Sequence, residues 1–254
     1  NFDVGNVTTY DPGDFPYGST IYVTITPYNG NGDTQGCTEE SFMTETLASF
    51  VPFLTTWKTD NPGITNSTSI AIPTTGGTGY NYDVDWENDG IWDDLGVTGN
   101  ITHDYGTAGT YQVAIRGDFP RIYFSNGGDK EKILSVDQWG DIAWSSMEDA
   151  FHGCVNLAGQ ANDEPDLSNV FLFRDIFKFC SSFNQDISNW DVSNVVAYNS
   201  AFQGCTIFNQ DLGGWNVASA TDMRYMFNGA SSFNQDISSW DVSNVQYMQN
   251  MISL

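Results

Sequence analysis

A 25-residue repeat in the second half of the chain restricts the fold more than any other feature. The tetrapeptide Phe-Asn-Gln-Asp recurs at 183–186, 208–211 and 233–236. Three tryptophans keep the same period: Trp190, Trp215 and Trp240. Weaker copies extend the pattern back to about Ile133, which gives about five units. A unit this short cannot bury its own apolar face, so the units must stack on one another, and the pattern predicts a solenoid.

Each unit divides into two parts with different periodicities. Residues 186–192 alternate between apolar and polar side chains, which predicts a short strand. Apolar residues then recur at spacings of three and four from Val195 to Cys205, which predicts a helix. Ser193 and Asn194 supply side chains that cap the first turn of a helix. One strand and one helix per unit is the plan of an α/β leucine-rich-repeat solenoid.

The repeat motifs resemble the BspA-like leucine-rich repeats of bacterial surface proteins of the Bacteroidetes type. Trp-Asp-Val-Ser-Asn-Val stands at 190–195, Met-x-x-Met-Phe at 223–227 and Phe-Asn-Gln-Asp-Ile-Ser-x-Trp at 233–240. Ala-Phe-x-x-Cys-x-x-Leu stands at 150–157. Phe171, Phe173 and Ile176 depart from the methionine pattern in the second unit. The resemblance implies a secreted surface protein whose repeats, residues 125–254 and cut off in mid-unit, serve adhesion or protein binding.

Residues 50–124 have the pattern of a β-sandwich. Residues 80–86 and 110–116 alternate at period two, and a glycine-rich turn precedes the first of them. Three motifs occur in this order: Asp-Trp-Glu-Asn-Asp-Gly at 85–90, His-Asp-Tyr at 103–105 and Gly-Thr-Tyr at 109–111. Together they resemble the polycystic kidney disease (PKD) type of immunoglobulin-like domain. That resemblance implies a spacer that presents a neighbouring domain, with carbohydrate binding as an occasional property.

Residues 1–46 resemble the C-terminal part of a fibronectin type III domain, with Tyr22 at the position of its core tyrosine. The expected fold class is therefore multidomain: all-β immunoglobulin-like sandwich modules followed by an α/β leucine-rich-repeat solenoid. The chain begins without Met and the repeat pattern is incomplete at Leu254. We therefore expect a part of a longer secreted protein.

One loop of the middle segment has the spacing of a calcium site. Asp85, Glu87, Asp89 and Asp93 are candidate metal ligands, because they occupy positions 1, 3, 5 and 9 of an EF-hand-type loop, with Gly90 at position 6. Position 12 is a glycine and the flanking segments are strands, which is unlike an EF-hand. The alternative is a simple hairpin turn, for which Asn-Asp-Gly is a strong signal. The candidate cofactor is Ca²⁺, and no other is indicated.

Cysteine and aspartate residues also recur at fixed positions of the unit. Cys154, Cys180 and Cys205 are equivalent, and Ala230 replaces them in the next unit, so a small buried side chain is expected there. Disulfides between neighbouring units are the alternative, and Cys37 lies outside the array.

The Asp of each Phe-Asn-Gln-Asp motif would stack about 5 Å from the next. We expect backbone N–H groups or a bound cation to offset the repulsion, with the asparagines forming an amide ladder.

The charge balance excludes several kinds of partner. The chain carries 32 acidic and 8 basic residues, a net charge of -24. Binding to nucleic acid or to an anionic membrane surface needs clustered cations, so neither is expected. No apolar run reaches the roughly 18 residues of a membrane span, so no membrane insertion is expected. No catalytic motif is present, so we do not expect an enzyme.

Two function classes remain from the sequence. The first is a secreted bacterial cell-surface adhesin or interaction protein, whose repeats bind a protein or glycan of the host or of a neighbouring cell. Other parts of a longer secreted chain, or its secretion and anchoring machinery, are further expected partners. The second class is a carbohydrate-binding accessory region of a large secreted hydrolase, and a passive stalk is the remaining alternative. Exposure of the periodic tryptophans would separate the first two classes, because buried rings cannot stack on sugars.

Overall fold

The computed structural model describes residues 50–76 and 78–253 in full and, before residue 50, only the backbone of four short strands. These strands are β1 Thr20–Val23, β2 Tyr28–Asn29, β3 Gly32–Asp33 and β4 Glu40–Met43. β1 pairs with β4 and β2 with β3, both antiparallel. The chain divides into the units Asn1–Phe50 and Val51–Leu254. The side chains of Tyr22 and Cys37, named above, lie outside the described residues.

The first part of the second unit, residues 51–138, contains two antiparallel sheets. Its strands are β5 Phe53–Lys58, β6 Ser69–Ile72, β7 Asn81–Asp85, β8 Asp94–Val97, β9 Ile101–Asp104, β10 Thr110–Asp118 and β11 Ile133–Gln138. Five of them form a sheet in the order β11-β5-β10-β7-β8, and β6 pairs with β9. Every second residue of β5 is buried, as expected for a strand with one face in the core. Both sheets contribute to one hydrophobic core. We call residues 51–138 the two-sheet region.

Two buried charged residues of the segment before β11 hold the loop after β5 through hydrogen bonds. Asp129 and Lys132 are both fully buried. Asp129 accepts hydrogen bonds from the backbone N–H groups of Ile64 and Ala71, at 2.8 Å each. Lys132 Nζ donates to the carbonyl oxygens of Asn66 at 2.7 Å and Ser69 at 2.9 Å. Because every charged atom has protein partners, the burial of these charges is compensated.

β11 leads directly from the two-sheet region into the repeats. Ile133–Gln138 is the edge strand next to β5, and the chain continues at once into Trp139. Trp139 and Trp144 are buried, and their ring centroids lie 5.8 Å and 5.0 Å from that of Phe53 in β5. The hydrophobic core therefore continues without a break from the sheets into the first repeat.

The repeats stack through backbone hydrogen bonds between equivalent positions, so that each repeat forms one rung. The N–H groups of Phe173, Asp175, Phe177 and Phe179 donate to carbonyl oxygens one rung later, at 2.7 to 3.1 Å. Single parallel bridges mark the same stacking, as between Ala197 and Asp222. The only regular strands found in residues 139–253 are the two-residue parallel pair β12 Phe227–Asn228 and β13 Ile252–Ser253. The period found in the sequence is thus the period of the stacking.

The predicted fold class was wrong. Residues 50–76 and 78–253 contain no helix, and the strands form separate small sheets, not the continuous parallel sheet of a leucine-rich-repeat solenoid. The predicted helix from Val195 to Cys205 fails for a specific reason. Ser200 has the left-handed backbone angle φ of 56°, and its N–H donates to the carbonyl of Arg224 in the next rung. A chain that uses its N–H groups between rungs cannot also use them within a helix.

The spacing of three and four comes from successive turns. Val195, Ala201, Cys205 and Phe208 each donate a backbone hydrogen bond to the carbonyl three residues earlier. Each such turn brings one side chain to the core, which imitates the period of an amphipathic helix. The predicted strand at 186–192 is also replaced by a turn, in which the N–H of Trp190 donates to Ile187. No described residues form a helix long and apolar enough to cross a bilayer.

Stacked side chains fill the inside of the rungs. The rings of Phe177, Phe202 and Phe227 stack at centroid distances of 5.8 Å and 5.5 Å. Cys154, Cys180 and Cys205 have buried free thiols, and they form a second column because they occupy the same position in successive rungs. Two of these thiols donate to the carbonyl of the previous rung, Cys180 to Phe151 at 3.0 Å and Cys205 to Phe177 at 2.9 Å. Burial raises the pKa of all three thiols.

Candidate functional site

The acidic loop between β7 and β8 is organised by one buried carboxylate. Asp85, the last residue of β7, is almost fully buried. Its two oxygens accept the backbone N–H groups of Asp89 at 3.2 Å and Gly90 at 2.8 Å. Asn88 and Gly90 have positive φ angles of 53° and 89°, as a tight turn requires. Asp85 therefore shapes the turn as well as contributing charge.

Three carboxylates of this loop converge. One oxygen each of Asp85, Glu87 and Asp93 lie within 4.8 Å of one another. Asp93 is fixed by a 3.0 Å hydrogen bond from the N–H of Trp86 to its Oδ2. Partial loss of hydration raises the pKa of Glu87, and the neighbouring charge of Asp93 raises it further. Oxygen atoms of this kind are the ligands that Ca²⁺ prefers, so the donor set fits a hard cation.

The fourth predicted ligand lies apart from the other three. Asp89 is not part of the converging group, and its Oδ1 accepts the N–H of Ile91 at 2.9 Å. In the turn that the sequence predicts at Asn-Asp-Gly, the carboxylate of Asp89 bonds to the backbone of its own loop. The structure therefore brings together Asp85, Glu87 and Asp93 of the four residues named from the sequence.

A histidine that sequence spacing did not connect with the loop lies beside it. The ring of His103, in β9, stacks on Trp86 with centroids 4.8 Å apart, and its Nε2 lies 3.9 Å from Glu87 Oε1. Tyr105 donates from its hydroxyl to the carbonyl of Trp86 at 2.9 Å. The PKD-like resemblance implied a strand at His103 but not what the histidine would face. β9 pairs with β6 and not with β7 or β8, so His103 reaches the loop from the other sheet.

The polar columns of the repeats use backbone donors. Asp186 Oδ1 and Asp236 Oδ1 each accept the N–H of the serine two residues later, at 2.9 Å. These hydrogen bonds lower the pKa of both carboxyls. Asn184 Oδ1 accepts the N–H of Asn209 at 2.8 Å, and the next pair repeats this contact. The expected backbone donors and the amide ladder are therefore present, on the exposed side of the turns.

A second surface of the repeats is neutral and aromatic. It is formed by the stacked segments 171–175, 196–200, 221–225 and 246–250, and we call it the arc face. The backbone N–H groups of Val196, Thr221 and Gln246 join these segments at 2.8 to 2.9 Å. Phe171 is 53% exposed and Tyr247 is 47% exposed. The four segments contain two arginines and two aspartates.

The arginines of the arc face are held by neighbours. Arg224 pairs with Asp222 at 2.6 Å, and its guanidinium lies 5.0 Å from the ring centre of Tyr247. Arg174 pairs with Glu148 at 2.6 Å. Both guanidiniums remain about half exposed.

The turns elsewhere on the rungs are acidic. Residues 184–194, 209–219 and 234–244 contain five aspartates and no Lys or Arg. The arc face is thus locally neutral in a strongly acidic protein.

The periodic tryptophans do not present their rings to solvent. Trp190, Trp215 and Trp240 are 4%, 3% and 7% exposed. Trp215 and Trp240 donate from Nε1 to the carbonyls of Ile187 at 3.0 Å and Leu212 at 2.8 Å. Their rings are therefore part of the core and offer no flat surface on which a sugar could stack.

Comparison with known proteins gives one family. Residues 145–254 match the family model described as "Mycoplasma protein of unknown function, DUF285". The match covers less than half of the chain, so it records a similarity of the repeats. No curated protein and no solved structure matches the chain.

The expected resemblance to BspA-like leucine-rich repeats, preceded by PKD-like and partial fibronectin type III-like domains, was wrong. The repeats match a different family, and the described residues contain strands and turns but no helix.

Proposed function

We propose that the chain is part of a secreted bacterial cell-surface adhesin that binds a protein of the host or of a neighbouring cell through its arc face. The observation that carries this proposal is the segregation of the surface. The arc face carries the exposed rings of Phe171, Tyr225 and Tyr247 and two arginines balanced by two aspartates, whereas the turns carry five aspartates and no Lys or Arg. Aromatic residues and Arg are enriched in protein interfaces.

The rigidity of the arc face supports the same function. Its segments are fixed to each other by backbone hydrogen bonds, and the rings and guanidiniums are fixed by ion pairs and stacking. Side chains that are ordered before binding lose less conformational entropy when a partner binds. A preorganised surface of this composition suits a protein partner. We propose that the chain acts through binding, and not as an enzyme.

The carbohydrate-binding alternative receives less support. Sugar recognition by stacking needs an exposed ring face, and the three periodic tryptophans are buried. A passive stalk predicts no ligand at all, which is an outcome of the experiment below.

We also propose that the loop of Asp85, Glu87 and Asp93 binds Ca²⁺. Support comes from the convergence of their oxygens within 4.8 Å and from the exposed position of Glu87 and Asp93, which leaves the cation accessible. The bound ion would cross-link the β7–β8 loop and offset the repulsion among the three carboxylates.

The test of the adhesin function uses the intact chain on an array of extracellular-matrix proteins and glycans, with calcium and with chelator. We expect saturable binding to a protein, lost in the double variant Tyr225→Ser and Tyr247→Ser. Ile207→Ser is the matched control, because Ile207 is 48% exposed but lies outside the arc face. Binding to glycans alone, binding that survives the double variant, or silence on the whole array would overturn the proposal.

Surface variants are preferable to deletion of the repeats. β11 is the edge strand of the five-stranded sheet, and Trp139 packs against Phe53. Removal of residues 133–254 would therefore expose the core of the two-sheet region and confuse loss of binding with loss of folding.

A further inference from the structure

A small acidic cleft lies on the repeats, apart from the arc face. Its volume is about 190 Å³, and its walls are formed by residues 161–164 and 186–190. Three carboxylates line it, those of Asp163, Glu164 and Asp186. Pockets for drug-sized ligands measure roughly 300 to 1,000 Å³, so this cleft has room for one side chain or one small group.

The cleft exists because one segment departs from the repeat. The spacing from Ala150 to Ile176 is one residue longer than the 25-residue period that later units keep. In those later units, the indole of each tryptophan donates to a carbonyl 28 residues earlier. The equivalent residue for Trp190 is Asn162, and it forms part of the cleft wall.

The indole of Trp190 differs from its counterparts in the later units. The side chain is 4% exposed, and its ring lines the cleft. No described residue accepts a hydrogen bond from its Nε1, although Trp215 and Trp240 both have an acceptor. The Trp190 side chain is thus a wall of the cleft and carries an indole N–H that none of the described residues accepts. A buried donor in this position calls for an acceptor from a ligand.

The carboxylates of the cleft are anionic and have no cation beside them. Among the described residues, no Lys, Arg or His forms an ion pair with Asp163, Glu164 or Asp186. Asp163 accepts the N–H groups of Trp139 and Gly140, which fixes it in the wall. Asp186 accepts the N–H of Ser188 at its Oδ1. The cleft therefore offers fixed negative charge and one neutral donor.

We propose that this cleft binds a single Lys or Arg side chain of a partner polypeptide. The ammonium or guanidinium group contacts Glu164 and Asp186, and a backbone carbonyl of the same polypeptide accepts the Trp190 N–H. Charge-assisted hydrogen bonds to carboxylates are stronger than neutral ones. The overall negative charge of the protein further attracts a basic segment. The inference rests on the proposed function only in taking the partner to be a protein, and it needs no contribution from the arc face.

The test follows the indole N–H signals of the ¹⁵N-labelled intact chain by NMR, with the Trp190 signal assigned from Trp190→Phe. Four probes are compared: the blocked tripeptides Gly-Arg-Gly, Gly-Lys-Gly and Gly-citrulline-Gly, and methyl glucoside. We expect saturable shifts of the Trp190 signal with the Arg and Lys peptides at millimolar concentration. The neutral citrulline peptide and the sugar should leave the signal unchanged.

Matched variants distinguish the cleft from general acidity. Glu164→Gln combined with Asp186→Asn should weaken peptide binding about tenfold or more, because the charge-assisted contacts are lost. Asp236→Asn is the control, since Asp236 has the same contact with a serine N–H but does not line the cleft. No shift with either basic peptide, an equal shift with citrulline, a shift with sugar alone, or equal weakening by Asp236→Asn would overturn the proposal. The array experiment with the arc-face variants is independent of all these results.

Discussion

Phe179 and Gly204 form a contact that depends on the absence of a side chain at the second residue. Phe179 has a φ of 62°, and Gly204 occupies the equivalent position one rung later with a φ of 73°. A Cβ added to Gly204 would lie 2.6 Å from Cδ1 of Phe179. The glycine therefore permits both the left-handed conformation and the close stacking of the two rungs.

Gly204→Ala should lower the free energy of unfolding by about 1 to 2 kcal/mol for the left-handed conformation, with a further loss from displacement of the Phe179 ring. Urea denaturation measures the change. In a Phe179→Ala background the further loss should disappear, because the ring is gone. Gly214→Ala is the control, since no atom lies within 4 Å of its added Cβ. Equal losses in Gly204→Ala and Gly214→Ala would contradict this explanation.

Glu87→Gln should raise the melting temperature at pH 7 in the presence of chelator. The pKa of Glu87 is raised in the folded protein, so the stability that its proton provides is present at low pH and is lost as pH rises through that pKa. Removing the charge at pH 7 therefore removes a repulsion. Calorimetry at pH 5 and pH 7 checks the sign, since the advantage of the variant should shrink at the lower pH.

In calcium, the wild type should have a higher melting temperature than Glu87→Gln, the reverse of the order in chelator. Ca²⁺ at 100 times its dissociation constant would stabilise the wild type by about 2.7 kcal/mol, and Glu87→Gln should lose most of this gain. Asp89→Asn should keep the calcium response, because Asp89 lies outside the three converging carboxylates. A wild-type melting temperature that is the same in calcium and in chelator would refute the Ca²⁺ site.

The aspartates of the turns should contribute to loss of stability in acid. Hydrogen bonds from serines two residues later lower the pKa of Asp166, Asp191 and Asp241 below the usual 3.8. Their contribution is present above that value and is lost as pH falls through the lowered folded-state pKa values. A triple Asp→Asn variant at these positions should be less stable at pH 6 and should show a flatter decline below pH 4. Parallel declines of the two proteins in urea denaturation from pH 6 to pH 2.5 would exclude this contribution.

The three thiols of the repeats should resist modification in the folded state. They are buried and their pKa values are raised, so little thiolate is available at pH 8. In a Cys37→Ser background, we expect no reaction with Ellman's reagent before unfolding and three equivalents after unfolding in urea. Rapid reaction of any of these thiols in the native protein would show that the rungs around it open to solvent.

Cys205→Ala should cost only about 1 kcal/mol, because Ala230 already occupies the same column and the lost thiol hydrogen bond is weak. Cys205→Leu should cost more, since the added volume would overpack the rung. Urea denaturation of the two variants checks this order. The reverse order would mean that the column tolerates larger side chains.

The sequence predicted the period of the repeats but not their backbone. The recurrence of Phe-Asn-Gln-Asp and Trp identifies equivalent positions, and these do stack. The spacing of Val195, Tyr198, Ala201 and Cys205 was interpreted as a helix, whereas turns produce it. Two facts that decide between them are not visible in composition: the left-handed conformation of Ser200 and the use of its N–H between rungs.

The acidic loop shows a similar limit. The spacing of Asp85, Glu87, Asp89 and Asp93 places four carboxylates near one turn, and three of them converge. Asp89 is excluded because it bonds to its own loop. His103 comes to the loop from the other sheet, and the cleft beside Trp190 lies where the repeat contains one extra residue. Both depend on contacts distant in sequence, which a local pattern does not contain.

β11 has a mechanical consequence for the connection between the sheets and the repeats. Ile133–Gln138 is paired with β5 and is also the segment that leads into the repeats. Tension applied to the repeats is therefore carried along a row of interstrand hydrogen bonds, and no slack linker intervenes. We expect the repeats and the sheets to resist stretching together, as one stiff connection.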